Sequence, residues 1–262
     1  WFRSVTTFLL AVFMIAGSSV LAHATDYDYE CDHTYVNGFC SLCDAFEPAA
    51  DADSDGVFEI GNGGQLYWFA SIVNSGEADA DAVLTADIVV NRNVLVGGEL
   101  NTDAETVAGF RTWSSIGFRA TTSRYLYYTG TFDGQGHTIS GLYYRGADNY
   151  VGLFGCTDSG AVIRGVNLAD SWFSAGSGVG YASVGGIVGR AADTVIDSCT
   201  NSGVVIGNGN AVGGIVGEAV HCSVRSCGNT GAVTGTARVG GIAGALSGSV
   251  FGCNNSGVVT GS

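Results

Sequence analysis

Beyond residue 130 the apolar positions fall in short runs, each broken by Gly, Asn, Asp or Ser. Runs of this length bounded by turn residues predict short β-strands. The runs also repeat. Val184-Gly-Gly-Ile-Val-Gly189 returns as Val212-Gly-Gly-Ile-Val-Gly217 and as Val239-Gly-Gly-Ile-Ala-Gly244, with a looser copy at Val151-Gly-Leu-Phe-Gly155. The starts lie 33, 28 and 27 residues apart. A second phrase keeps step: Cys199-Thr-Asn-Ser-Gly-Val-Val, Cys227-Gly-Asn-Thr-Gly-Ala-Val and Cys253-Asn-Asn-Ser-Gly-Val-Val. A period of this size signals a solenoid, whose units bury their apolar faces only against their neighbours.

Each repeat offers three short strands. One is Val-Gly-Gly-Ile-Val, the second ends at the Cys, and the third is Val204-Val205-Ile206 or its equivalents at 232–234 and 258–260. Three strands per coil predict an all-β chain, a right-handed parallel β-helix with coils stacked at about 4.8 Å. Upstream, Leu66, Phe69, Ala70 and Val73 recur at helical spacing between Asn62, an N-cap candidate, and Gly76, a stop signal. This predicts an N-terminal capping helix over the open end of the solenoid. Strand-like runs follow at Val83–Val90, Trp113–Gly117 and Gly130–Leu142.

Composition narrows the class. Gly is abundant without a collagen-like triplet, Lys is absent, and charged residues make up only 13%. The net charge is −14, and seventeen of the 24 carboxylates fall within residues 26–105. Such a balance argues against nucleic-acid binding or attachment to an anionic membrane, which need a basic patch.

Val5 to Leu21 is apolar and ends in Ala22-His23-Ala24, a small-x-small cleavage signal. This reads as a secretory signal peptide over residues 1–24, with no transmembrane segment expected beyond it. Arg3 is the sole cation before the apolar run, and Ser262 falls just after the third Cys phrase without a polar cap. The chain is therefore expected to be part of a longer exported protein. Residues 25–55 read as an acidic, cysteine-containing linker or small zinc-knuckle-like module. Residues 56–150 read as capping helix and first coils, and 151–262 as the repeats.

Two clusters in the leading segment carry candidate chemistry. Cys31, His33, Cys40 and Cys43 place four potential zinc ligands within 13 residues, and Asn37-Gly38 between them is a hairpin-turn pair. Structural zinc and a disulfide or plain tether both stand open, because exported chains favour disulfides while three thiols leave one unpaired. Four protein ligands leave no open position for catalysis. Asp51, Asp53 and Asp55 match the first half of a calcium loop, but Asn62 stands where the closing Glu belongs. A weak calcium site or an acidic linker is expected there.

In the repeats, Cys199, Cys227 and Cys253 should point inward at one stacked position, as a structural ladder of free thiols, with Val166 as their equivalent one coil earlier. His137 and His221 read as turn or surface residues. Tyr143 and Tyr144 belong to an aromatic group suited either to stacking on sugar rings or to packing the first coils. After residue 145 the carboxylates are scattered, and neither His-Glu-x-x-His nor Gly-x-Ser-x-Gly occurs.

The Val-Gly-Gly-Ile-Val-Gly and Cys-x-Asn-Ser/Thr-Gly-x-Val units resemble the GLUG-motif repeats of secreted bacterial surface proteins. Such repeats occur in adhesin-like proteins and beside the protease domain of some immunoglobulin-A-cleaving metalloproteases. The resemblance covers roughly residues 56–262. It implies a parallel β-helix and export, and it supplies no catalytic residues. The Cys31–Cys43 segment is similar to short cysteine modules that follow signal peptides in exported proteins of anaerobic Gram-positive bacteria. The expected function is a non-catalytic, adhesin-like scaffold, secreted or at the bacterial cell surface, whose partner is a host or environmental glycan or protein. Structural zinc is the candidate cofactor. The alternatives are a carbohydrate-binding or carbohydrate-cleaving β-helix, or the accessory front of an exported metalloprotease.

Overall fold

A computed structural model describes residues 31–119, 125–176 and 182–262. The leader expected at 1–24 lies outside the described residues. The chain winds into a parallel β-solenoid of about seven turns. Every pairing between successive coils is parallel. The described antiparallel strand pairs are short: Tyr35–Val36 with Phe39–Cys40, Leu95–Val96 with Glu99–Leu100, and Phe118–Arg119 with Tyr125–Leu126; isolated antiparallel bridges also join Phe39 to Phe46 and Ala50 to Glu59.

The coil has four sheets rather than the three strands expected. The longest runs from Val57–Ile60 to Ala243–Phe251. A second runs from Ile88–Val89 to Asn254–Asn255, a third from Tyr143–Gly146 to Val259–Gly261, and a fourth from Tyr150–Val151 to Val239–Gly240. The difference lies in Val-Gly-Gly-Ile-Val, which is not one strand. Its first residues close one strand (Ser183–Gly185), its last open another (Val188–Ala192), and Gly186-Ile187 turn the corner between them. Trp113–Gly117 also differs from expectation. It makes isolated parallel bridges, Thr112 to Tyr143 and Ile116 to Phe154, that continue two sheets beyond their last full strand.

Corners are made where the backbone turns left-handed. Gly165, Ser198, Ser226 and Gly252, at one equivalent position in four coils, all have φ between 54° and 65°. His221, at φ 56°, is exposed and sits within the strand Val216–Arg225, where the register shifts between Val220 and Cys222; it is a surface residue at a bulge rather than a turn residue. Residues in this region of backbone space are uncommon outside Gly, Asn and Asp, so the stack holds these serines in place.

The core is built of columns. Phe132, Ile163, Ile196, Val224 and Val250 are in register on one wall, and Tyr144, Phe173, Val205, Val233 and Val259 on another. Side chains shrink from aromatic to aliphatic along both columns. The largest fully buried groups, Trp113, Tyr128, Phe69, Phe132 and Phe154, gather at the N-terminal end. The final coil, by contrast, leaves Leu246, Val250, Phe251 and Val258 exposed.

The helix α1 (Gly63–Ser75) covers the aromatic end. Asn62 caps it by accepting from the Gln65 amide at 2.9 Å, and Gly76 ends it at φ 135°. Leu66, Phe69, Ala70 and Val73 are buried, the face that the spacing predicts. Phe69 meets Tyr128 and Phe132, and Tyr67 meets Trp113 edge-on.

The two repeated phrases touch each other. The Asn of Cys-x-Asn points inward, and the second Gly of the other phrase lies against it: Gly186 on Asn201, Gly214 on Asn229, Gly241 on Asn255. A Cβ on Gly186 would fall 2.7 Å from the Asn201 side chain, so a larger residue does not fit. The amides themselves form a ladder. Asn201 Nδ2 donates to Asn229 Oδ1 at 2.9 Å, and Asn229 Nδ2 donates to Asn255 Oδ1 at 2.7 Å. The second Nδ2 hydrogen goes to the carbonyls of Gly203 and Gly231. Asn201 and Asn229 are 1% and 0% exposed, so these bonds replace water entirely. Asn229→Ala should destabilise the chain by about 1–3 kcal/mol, the cost of leaving buried partners unmatched. Chemical denaturation checks this, with the exposed-side Ser256→Ala expected within about 0.5 kcal/mol of the parent.

Candidate functional site

The cysteine segment folds back on itself at Asn37-Gly38, with φ of 52° and 76°, the left-handed pair that a two-residue hairpin needs. Strands Tyr35–Val36 and Phe39–Cys40 flank the turn. This fold-back brings His33 beside the Cys-x-x-Cys stretch. His33 Nδ1 lies 3.5 Å from Cys40 Sγ and 3.5 Å from Cys43 Sγ, and Cys31 Sγ lies 3.6 Å from Cys40 Sγ. All four ligand atoms fall within 4.8 Å of one another. The Leu42 amide donates to Cys40 Sγ at 3.4 Å, which orients that sulfur from behind. The structure thus brings together all four residues that sequence spacing nominated.

Their electrostatics follow from the crowding. The hydrogen bond from His33 pulls the Cys40 thiol down to about 6, while burial and the two neighbouring thiols push Cys31 upward. One negative sulfur is favoured here, and further thiolates need a cation among them. The cluster offers three soft sulfurs and one imidazole nitrogen, a donor set suited to a tetrahedral divalent metal.

The hairpin is docked on the solenoid cap. Asn37 Nδ2 donates to the Val89 carbonyl at 2.8 Å, and its Oδ1 and backbone oxygen accept from the Gly63 and Gly64 amides. Glu47 accepts from Asn62 and Gln65, tying the segment to the first turn of α1. Phe39 is buried against Phe46 and Tyr67, with the Arg111 guanidinium 3.9 Å above its ring.

The other nominated residues are placed differently. The carboxylates of Asp51, Asp53 and Asp55 gather within 4.8 Å, but they accept from the amides of Asp55, Gly56 and Val57. They form a turn that closes on its own backbone and leads directly into a strand. Tyr144 is 7% exposed, its ring in the core and its hydroxyl accepting from the Asp148 amide at 2.9 Å. Its assignment as a sugar-stacking residue is corrected: the period-2 alternation of its strand turns it inward. Tyr143, one residue earlier, is half-buried on the outer face against Phe110. Cys199 and Cys227 are buried and Cys253 is half-buried, in register behind Val166, and none of the three is in a disulfide. Their thiols donate to backbone carbonyls such as Asp197 and Arg225.

An axial charge column, silent in the linear sequence, runs along the longest sheet. Asp133, Arg164, Asp197 and Arg225 are successive partners on the longest sheet. Arg164 contacts Asp133 at 2.9 Å and Arg225 contacts Asp197 at 3.0 Å. The alternation becomes visible only when residues are aligned by coil. Asp133 and Arg164 also line a shallow cleft of about 340 Å³ with Asp55, Asp81, Thr131 and Gln135.

Repeat-built parallel β-solenoid with a docked cysteine hairpin is the class that these features define. Comparisons place it among known proteins. No family model matches the chain. Halomucin of Haloquadratum walsbyi is 37% identical over 83 residues, which are 31% of this chain and 1% of halomucin. The crystal structure of a "putative immunoglobulin A1 protease" from Bacteroides ovatus superimposes with a TM-score of 0.56 at 21% identity, over 81% of this chain and 60% of that one. That likeness establishes the solenoid fold. Among the described residues, no helix is long and apolar enough to cross a membrane.

The docking geometry is testable. Gly38→Ala puts a side chain on a left-handed residue packed against the Gly64 backbone. It should loosen the hairpin by at least about 1 kcal/mol, read as faster hydrogen exchange at the amides of Glu47 and Gly64, with the Val205 amide in the coils unchanged.

Proposed function

We propose that the chain is an exported, non-catalytic scaffold, an adhesin-like stalk segment that displays binding surface or further domains outside the cell. The observation that carries this reading is how the repeated residues are used. The apolar columns, amide ladder, thiols and paired charges of the coils all serve the contact between one coil and the next. An enzyme would instead need polar groups converging on a substrate position and left available to it, whereas in the shallow cleft Arg164 is paired with Asp133 and Asp81 accepts from the Thr131 amide. The apolar leader ending at Ala24 and the low surface charge accord with export. The partial match to halomucin and the solenoid likeness to a bacterial chain support the same setting. Stacked coils suit an extended role because each adds length without requiring a new core.

The reading predicts that the purified chain releases no reducing ends from acidic or neutral polysaccharides above a no-protein control. It also predicts that protein recovered outside expressing cells begins at Thr25. Depolymerisation abolished by Asp133→Asn or Asp81→Asn, in the shallow cleft, would overturn the non-catalytic assignment. An uncleaved N-terminus in intracellular protein would overturn export.

A further inference from the structure

We propose that Cys31, His33, Cys40 and Cys43 hold one structural zinc ion, and that the ion latches the cap hairpin onto the N-terminal end of the solenoid. The spacing of the ligand atoms is the first argument. Zinc binds thiolate sulfur at about 2.3 Å and imidazole nitrogen at about 2.0–2.1 Å in tetrahedral sites, so sulfur–sulfur edges are about 3.8 Å and sulfur–nitrogen edges about 3.6 Å. The separations here are 3.6 Å between Cys31 and Cys40 and 3.5 Å from His33 to each of Cys40 and Cys43. Three of the six edges match those of a zinc tetrahedron, and the four ligand atoms all lie within 4.8 Å of one another.

The chemistry of the set is the second argument. One disulfide among three thiols strands the third beside an imidazole, whereas one divalent ion satisfies all four donors at once. The Leu42 amide aimed at Cys40 Sγ is the kind of outer contact that holds a metal-ligating sulfur in place. Four protein ligands close the coordination sphere, so the ion is structural rather than catalytic.

Its place in the fold gives the ion a role. The segment from Cys31 to Glu47 has little apolar core of its own, with Phe39 and Cys40 as its buried hydrophobic residues. A segment this short does not hold a single conformation by burial alone. Yet it supplies Asn37 and Glu47 to α1 and Phe39 to Tyr67. Cross-linking both ends of the hairpin through one ion fixes these three contacts together. The inference rests on the ligand geometry and stands whether or not the scaffold reading holds.

The test uses the full chain purified under reducing conditions. Elemental analysis should find about one zinc per chain, falling below about a tenth in Cys43→Ser and His33→Ala and unchanged in Cys253→Ser. Cobalt replacement should give the intense visible bands of a tetrahedral sulfur-rich site. This measurement is made on the parent chain and so does not depend on a variant folding. Chelation should speed hydrogen exchange at the Cys40, Glu47 and Gly64 amides by about tenfold or more while sparing those of Val205 and Ile215. A disulfide between two of these cysteines in exported protein, less than about a tenth of a zinc per chain, or octahedral cobalt would overturn the site. Metal bound as described with exchange unchanged on chelation would overturn the latch.

Discussion

Each coil of this chain lies one strand spacing from the next, about 4.8 Å, and the parallel backbone ladder holds neighbouring coils in register apart from one shift between Val220 and Cys222. Paired side chains therefore sit directly beside their equivalents in the neighbouring coil. Residues that recur must tolerate a copy of themselves at contact distance. Val and Ile do so by dispersion, and Cys does so as a small apolar group with a weak donor. Asn does so because its amide carries both donor and acceptor, which lets Asn201, Asn229 and Asn255 bond in series. A charge cannot, because like charges opposite one another repel. The charged column accordingly alternates Asp133, Arg164, Asp197, Arg225.

The same constraint explains the two repeated phrases. The Asn occupies the coil interior only if the facing corner gives it room, and Gly186, Gly214 and Gly241 give that room. The phrases lie some 15 residues apart in the chain but meet across the coil, so neither can change its volume without the other.

Stacking has no natural end, and the N-terminal end is closed by different means. Aromatic side chains enlarge the first coils, α1 lies across them, and the cysteine hairpin locks the first turn of α1 through Asn37 and Glu47. The chemistry-bearing cluster thus sits where the repeat logic stops. Along the coils the Asn amides and the alternating charges are matched to their equivalents one coil away, and on the outer face Tyr143 stands beside Phe110. The alternation of the strand turns its neighbour Tyr144 inward instead.

The amino-acid sequence by itself determined the solenoid, its period, the helix α1 with both caps, and the cysteine hairpin with its four candidate ligands. Each of these is written in local spacing: a repeat interval, an i, i+3, i+4 face, an Asn-Gly turn. Only the tertiary structure decided the fourth sheet, the inward Asn, the alternating charge column and the burial of Tyr144. These depend on which residues meet one coil apart. Gly and Asn carry the same local signal whether they turn a corner in solvent or pack together in the core. The Asp51–Asp55 loop makes the same point from the other side. Its spacing matches half of a calcium loop, while the fold shows how the carboxylates are gathered: they accept from the amides of Asp55, Gly56 and Val57, which lie within two to five residues of them.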